Sequence, residues 1–112
     1  MRVDYYIAPN QSNPVKDFLD SLQKKQKAKI FRILQNIETY GLSAVIPHIK
    51  KLSETPFWEI RVLGNDSLRV LYIVPTKTSI LLLHGFQKKT QKTPSKEIQI
   101  ALQRYRLVEL DI

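Results

Sequence analysis

The sequence has no cysteine among its 112 residues, which excludes disulfide bonds, thiolate chemistry and zinc sites with sulfur ligands. It has two histidines, and this argues against a transition-metal site built by the protein, because such sites collect several imidazole, thiolate or carboxylate ligands. The three glycines, at positions 41, 64 and 85, are too scattered to form a phosphate-binding loop. These shortages exclude several common classes of enzyme.

Long apolar runs are also missing. No segment approaches the roughly 20 apolar residues that a membrane-spanning helix needs. The first residues, MRVDYYIAPN, lack the apolar stretch of a signal peptide. With 43% apolar and 25% charged residues, the composition is that of an ordinary globular protein. We therefore expect one cytoplasmic domain over residues 1–112, without a membrane partner.

Acidic residues are scarce. Ten Asp and Glu accompany 18 Lys and Arg, which gives a net charge of +8 and a pI near 9.8. Such an excess attracts polyanions, so the charge predicts a partner that is either a nucleic acid or a strongly acidic protein. Charge alone does not distinguish between them.

The N-terminal part predicts a strand followed by helices. Val3–Ala8 is β-branched and aromatic, as is typical of a strand. Ser12 or Asn13 can cap the next helix, which has a proline at its first position. Apolar residues then recur at helical spacing as far as Gly41, which is placed to end the helix. We expect residues 14–40 to form a helical hairpin, or one helix with a break.

The C-terminal half predicts three strands and a last helix. Thr93 can cap this helix and Pro94 can open it, because proline is favoured in the first turn. Consecutive strands joined by short loops form an antiparallel meander covered by helices, so the predicted fold class is α+β with a small antiparallel sheet. The predicted strands are Phe57–Leu63, Leu68–Val74 and Thr78–Phe86.

The chemistry that remains open is that of a histidine among cations. His84 ends an apolar strand and precedes a lysine-rich loop. This set suits metal-free RNA cleavage, in which the ribose 2′-OH attacks its own phosphate and the protein supplies alignment, proton transfer and charge stabilisation. Alternation along the strands brings Arg61 and Arg69 near each other on one side of a hairpin. Lysines flank the predicted sheet at both ends: Lys50, Lys51, Lys88 and Lys89.

Each of these residues also has an ordinary structural interpretation. An arginine at a strand end is usually solvated or salt-bridged. A half-buried histidine is usually satisfied by the backbone, and a lysine-rich loop is usually solvated. The combination, rather than any single residue, favours a functional site.

Three stretches of the sequence together resemble a known family. FWEIRV, LRVLYIV and ILLLHGFQKKTQKTPSKEIQIALQR are similar to the phage-derived HigB-like branch of the RelE/ParE toxin superfamily. The resemblance runs from Lys50 to Arg106 and is most specific over Leu83–Ile98. It implies a RelE-like fold with an N-terminal helical hairpin and a C-terminal helix. It also implies the toxin of a type II toxin–antitoxin pair, which enters the ribosomal A site and cuts mRNA.

The resemblance further implies partners and residue roles. A cognate antitoxin, a HigA-like helix-turn-helix protein, would neutralise the toxin, and no cofactor or metal is expected. Arg61 and Arg69 would hold the scissile phosphate. His84 is expected to transfer the proton, since imidazole titrates near neutral pH. Lys51 matches the family's lysine ahead of the aromatic strand and completes the expected catalytic set. The residues expected to bind the RNA backbone are Lys50, Lys88, Lys89 and Lys92.

The sequence departs from the family pattern at residues 53–56, where Ser-Glu-Thr-Pro replaces a lysine- and glycine-rich turn. Two other functions stay open. The chain could be a non-enzymatic toxin on the same fold that binds a protein such as DNA gyrase, or a basic adaptor that docks an acidic partner. The retained set of cations and histidine favours the nuclease, because a pure binding protein does not need it.

Overall fold

The computed structural model describes residues 1–62, 68–88 and 92–110. The elements in chain order are β1 Arg2–Tyr5, α1 Pro14–Asp20, α2 Lys24–Tyr40, a kinked 3₁₀ segment Leu42–His48, β2 Ile49–Lys51, β3 Trp58–Arg61, β4 Leu68–Thr76, β5 Ser79–Gln87 and α3 Ser95–Leu110. They confirm the predicted α+β class. The polar loop predicted between the first two strands of the meander lies outside the described residues. Within the described ranges, no helix is long and apolar enough to cross a membrane.

Asn13 and Gly41 mark the two ends of the predicted helical region. The side-chain oxygen of Asn13 accepts a hydrogen bond from the backbone N–H of Lys16 at 3.2 Å, and Pro14 opens α1 as predicted. Gly41 ends α2 with a φ of 84°, a left-handed conformation that glycine adopts without strain. Because the backbone is extended at Gln23, with a ψ of 150°, the region forms two helices.

The five strands form one sheet in the order β1-β5-β4-β3-β2. Strands β2 to β5 pair antiparallel, and this confirms the predicted meander. Strand β1 pairs parallel with β5, so the complete sheet is mixed. Local sequence patterns do not predict this pairing, because it joins segments that are far apart in the chain. The short strand β2 was not predicted either, since three residues carry little periodicity.

Helices cover the sheet on both faces. The core under α1 and α2 includes Leu34 and Tyr72, which are buried. The core under α3 includes Leu71 and Ala101, which are also buried. Leu71 and Tyr72 are consecutive on β4, so the alternation of side chains along a strand assigns every other residue to the face that α3 covers. We call this surface the α3 face.

A β-bulge in β5 places Leu83 and His84 on the same face. Leu71 pairs with His84, whereas the next residue of β4, Tyr72, pairs with Leu82, so one residue of β5 is left over. Leu83 packs in the core under α3, and His84 bonds to a carboxylate of α3. Strict alternation from Leu83 would have directed His84 to the opposite face.

Gly85 lies where β5 contacts α1. A Cβ atom added there would be 2.6 Å from Cδ2 of Phe18, closer than van der Waals contact allows. We predict that Gly85→Ala lowers the free energy of unfolding by about 1–3 kcal/mol, the usual cost of overpacking. Urea denaturation measures the loss, and adding Phe18→Leu to the same chain should recover part of it. Recovery of no stability in the double variant would contradict the steric explanation.

Candidate functional site

Three adjacent strands direct charged side chains onto the α3 face. Arg61 of β3 lies directly opposite Arg69 of β4, which confirms the predicted approach of the two arginines. Glu59 lies opposite Lys50 of β2 and two residues from Arg61, on the same face. Lys88 follows β5 and interacts electrostatically with all four. We refer to Lys50, Arg61, Arg69 and Lys88 as the cation cluster.

The two arginines have unused hydrogen-bonding capacity. The Nε atoms of Arg61 and Arg69 are both buried, and neither has a hydrogen-bond partner among the described residues. Like charges directly opposite each other on neighbouring strands repel, and a buried N–H without an acceptor costs about 1–3 kcal/mol. An anion near the two guanidiniums would relieve their mutual repulsion, because a guanidinium matches phosphate with paired donors.

Glu59 is a buried carboxylate in the middle of the cation cluster, with 2% of its surface exposed. Its Oε2 accepts a hydrogen bond from the hydroxyl of Thr93 at 2.8 Å, and its Oε1 lies 3.5 Å from Nε of Arg69. The second contact is an ion pair rather than a hydrogen bond, in agreement with the unsatisfied Nε. Sequence reasoning missed this residue. The sequence did contain a signal for it: Glu59 is an acidic residue on a mostly apolar strand, two residues from Arg61 and therefore on the same face.

Lys88 is half-buried beside the same carboxylate. Burial lowers the pKa of its ammonium group below the ordinary lysine value, and the other three cations of the cluster lower it further. The negative charge of Glu59 acts in the opposite direction and raises this pKa. The readiness of Lys88 to hold its proton therefore depends on the charged groups around it.

Lys51 lies on the other side of β2 from Lys50. It pairs with Trp58, which packs against the core under α1 and α2, so alternation separates Lys51 from the cation cluster. Its Nζ donates hydrogen bonds to the carbonyls of Leu52 and Thr55, in the turn that precedes β3. The structure thus does not bring Lys51 together with the two arginines.

Lys92 and Lys89 are the remaining lysines expected to bind RNA, and the structure describes the first of them. Lys92 is exposed and directly precedes Thr93, whose hydroxyl reaches the cluster through Glu59. Lys89 lies outside the described residues. Lys50 lies on the same face as the arginines, and the charges of Lys50, Arg61 and Arg69 all act on Lys88.

His84 is buried, with 9% of its surface exposed, and is bonded to α3 through both ring nitrogens. Its Nε2 is 2.8 Å from Oε1 of Glu97, and its Nδ1 is 3.3 Å from Nη1 of Arg104. Because a guanidinium can only donate, Nδ1 accepts, and the neutral ring carries its proton on Nε2, from which it is donated to Glu97. Burial lowers the pKa of His84, while Glu97 opposes this shift. The ring also stacks on Phe86, which is the cross-strand neighbour of Arg69.

Other parts of the molecule carry no predicted site residue. Nδ1 of His48 lies 3.3 Å from the carbonyl oxygen of Arg61 and connects the 3₁₀ segment to β3. Within residues 1–62, 68–88 and 92–110, no three His, Asp or Glu side chains form a group that could hold a metal ion. A cleft of about 590 Å³ near the end of β4 is lined by Pro56, Ile73, Val74, Pro75, Tyr105 and Glu109.

A scan against known protein families matches residues 17–106 to the family described as phage derived protein Gp49-like (DUF891). The match extends from α1 into α3 and contains the whole cation cluster. A search of curated proteins gives no match. The Gp49-like family belongs to the RelE/HigB-like toxin superfamily, and the sheet and helices described above are compatible with the RelE-like fold. This confirms the resemblance at the level of the superfamily, and the chain belongs to the phage-derived Gp49-like family of toxin-like proteins.

Proposed function

We propose that this protein is the toxin of a type II toxin–antitoxin system and that it cuts mRNA on the ribosome. The observation that carries the proposal is the pair of facing arginines, Arg61 and Arg69, with buried Nε atoms that lack acceptors. The fold keeps two like charges together at a cost, and a phosphate is the ligand that would offset it. Membership of a toxin-like family makes an RNA phosphodiester the leading choice of that phosphate.

The proposed reaction uses a nucleophile that the substrate itself carries. The ribose 2′-oxygen bonds to the adjacent phosphorus as the bond from phosphorus to the 5′-oxygen breaks, and the proton of the 2′-OH passes to water. One fragment then ends in a 2′,3′-cyclic phosphate and the other in a 5′-OH. The two guanidiniums would align the phosphate and stabilise the extra negative charge of the transition state, so the reaction requires no catalytic metal.

We assign proton donation to Lys88 rather than to His84. Lys88 lies beside both arginines, and the lowered pKa of its ammonium group favours transfer of a proton to the leaving 5′-oxygen. His84 is buried, and its proton and its lone pair are both engaged with α3. In this proposal His84 is a positioning residue that holds α3 against the sheet. Lys50 replaces Lys51 in the set, since the register places Lys50 on the α3 face.

The proposed partners follow from the same assignment. The mRNA would lie over the α3 face in the ribosomal A site, where Lys50, Lys92 and Lys89 would bind its backbone. A cognate antitoxin of the HigA-like helix-turn-helix type would neutralise the toxin, which would place the protein in the HigB-like branch of the superfamily and in the cytoplasm.

Expression of the chain in bacteria without an antitoxin should arrest growth by stopping translation. Pulse labelling of protein synthesis and DNA synthesis in the same culture separates the two toxin mechanisms. Protein synthesis is expected to fall first, because mRNA is the proposed target. A culture in which DNA synthesis stops first, while translation continues, would instead identify a toxin of the gyrase-binding kind.

Arg61→Ala and Arg69→Ala should each abolish toxicity. Losing one contact to the charge of the transition state typically reduces the rate by about 100-fold or more. Arg32→Ala is the matched control, since Arg32 is an exposed arginine on α2, across the sheet from the cluster. Circular dichroism and thermal unfolding show whether each variant folds. Folded Arg61 and Arg69 variants with the toxicity of the Arg32 variant would refute the phosphate-binding role.

Lys88→Ala should mainly slow cleavage, whereas His84→Gln should mainly lower stability. Loss of the proton donor is expected to slow single-turnover cleavage by roughly 100- to 10,000-fold without a large loss of stability. Loss of the imidazole leaves the partly buried Glu97 and Arg104 of α3 without their partner, so the main effect should be a lower melting temperature rather than slower cleavage. Mapping of the fragment ends supplies the second readout, because a 5′-phosphate would exclude attack by the 2′-OH. If the His84→Gln variant cuts as slowly as the Lys88→Ala variant and is as stable as the parent, His84 rather than Lys88 is the group that transfers the proton.

A further inference from the structure

Four separate segments meet at the carboxylate of Glu59, and three of them carry members of the cation cluster. Glu59 lies on β3, faces Lys50 on β2 and forms an ion pair with Arg69 on β4. Its second oxygen accepts the hydrogen bond of Thr93, just before α3. Its charge also acts on Lys88, which follows β5. A carboxylate with 2% of its surface exposed is costly to bury unless its charge is compensated, and here four segments compensate it.

The charge balance around this carboxylate is uneven. The groups that face it are Lys50, Arg69 and Lys88, with Arg61 two residues away on the same strand. A single buried carboxylate therefore opposes four cations, which would otherwise repel one another in a partly desolvated space. Its removal would affect the spacing of the cations and would lower the pKa of Lys88.

We propose that Glu59 is a second positioning residue of the site: its carboxylate holds the Arg69 guanidinium and the Lys88 ammonium in place and ties the start of α3 to the same point. This inference rests on the proposed function, in which Arg69 binds the phosphate and Lys88 donates the proton to the leaving oxygen. Glu59 is too deeply buried to contact RNA, so it acts through its neighbours and does not itself exchange a proton with the substrate.

The electrostatic part of the proposal is measured on the full chain without RNA. Isotope-labelled lysine allows the ionisation of Lys88 to be followed by NMR as the pH is raised, with the signal assigned from a Lys88→Arg variant. Glu59→Gln keeps the shape and an acceptor for Thr93 but removes the charge that favours the protonated amine. The midpoint of Lys88 should therefore move to lower pH. Glu38→Gln is the matched control, because it makes the same change on the exposed surface of α2 and should leave the midpoint in place.

The functional part is measured by single-turnover cleavage across a range of pH. Glu59→Gln is expected to slow cleavage by roughly 10- to 100-fold, since small displacements of aligned groups cost about that much. The decline of activity on the alkaline side should also move to lower pH, in parallel with the NMR midpoint. A purely structural role would lower the rate without moving either pH dependence, and that result would overturn the proposal.

Two further outcomes keep the inference separate from the proposed function. If Glu59→Gln does not fold, Glu59→Asp takes its place, because it keeps the charge but withdraws it from Lys88. A smaller downward shift is then expected, and an unchanged midpoint overturns the proposal. A parent protein that does not cut RNA, but whose Lys88 midpoint responds to Glu59, refutes the nuclease and leaves the positioning role supported.

Discussion

The pairing of β3 with β4 is the constraint on which the candidate site depends. It sets Arg61 against Arg69 and places Glu59 beside them on the α3 face. A slip of one residue would turn these charges into the core under α1 and α2 and would direct Ile60 out of it. Because apolar residues are buried on both faces of these strands, that slip is strongly disfavoured. Hydrophobic packing therefore holds together two cations that repel each other.

Burying Glu59 among these cations reduces their mutual repulsion but leaves the surface positive. The desolvation of a carboxylate costs several kcal/mol when it is unpaired, and the hydrogen bond from Thr93 and the ion pair with Arg69 offset part of it. One carboxylate against four cations leaves the cluster positive. Part of the chain's net charge of +8 is thereby concentrated on the α3 face, and a positive surface of this kind attracts anions.

Helix α3 closes the site by polar contacts as well as by packing. Glu97 bonds to His84, and Arg104 donates to the carbonyl of Leu83 at 2.8 Å. The guanidinium of Arg104 also lies over the ring of Tyr6, 5.4 Å from its centre. The contact of His84 with Glu97 depends on the bulge that turns His84 toward α3. The bulge in β5 and the position of α3 are thus linked. Lys88 is the residue that follows β5 in the chain.

The sequence by itself determined the features that depend on residues close together in the chain. These are the two N-terminal helices between Asn13 and Gly41, the β3–β5 meander, the α+β class and the side of the sheet shared by Arg61 and Arg69. Capping, periodicity and strand alternation are local, so they can be read without the fold. The tertiary structure alone decided the parallel pairing of β1, the burial of Glu59 among cations, the separation of Lys51 from Lys50 across β2, and the orientation of His84. These depend on the formation of the short strand β2, on register, on one bulge and on contacts between distant segments, which the local patterns did not predict.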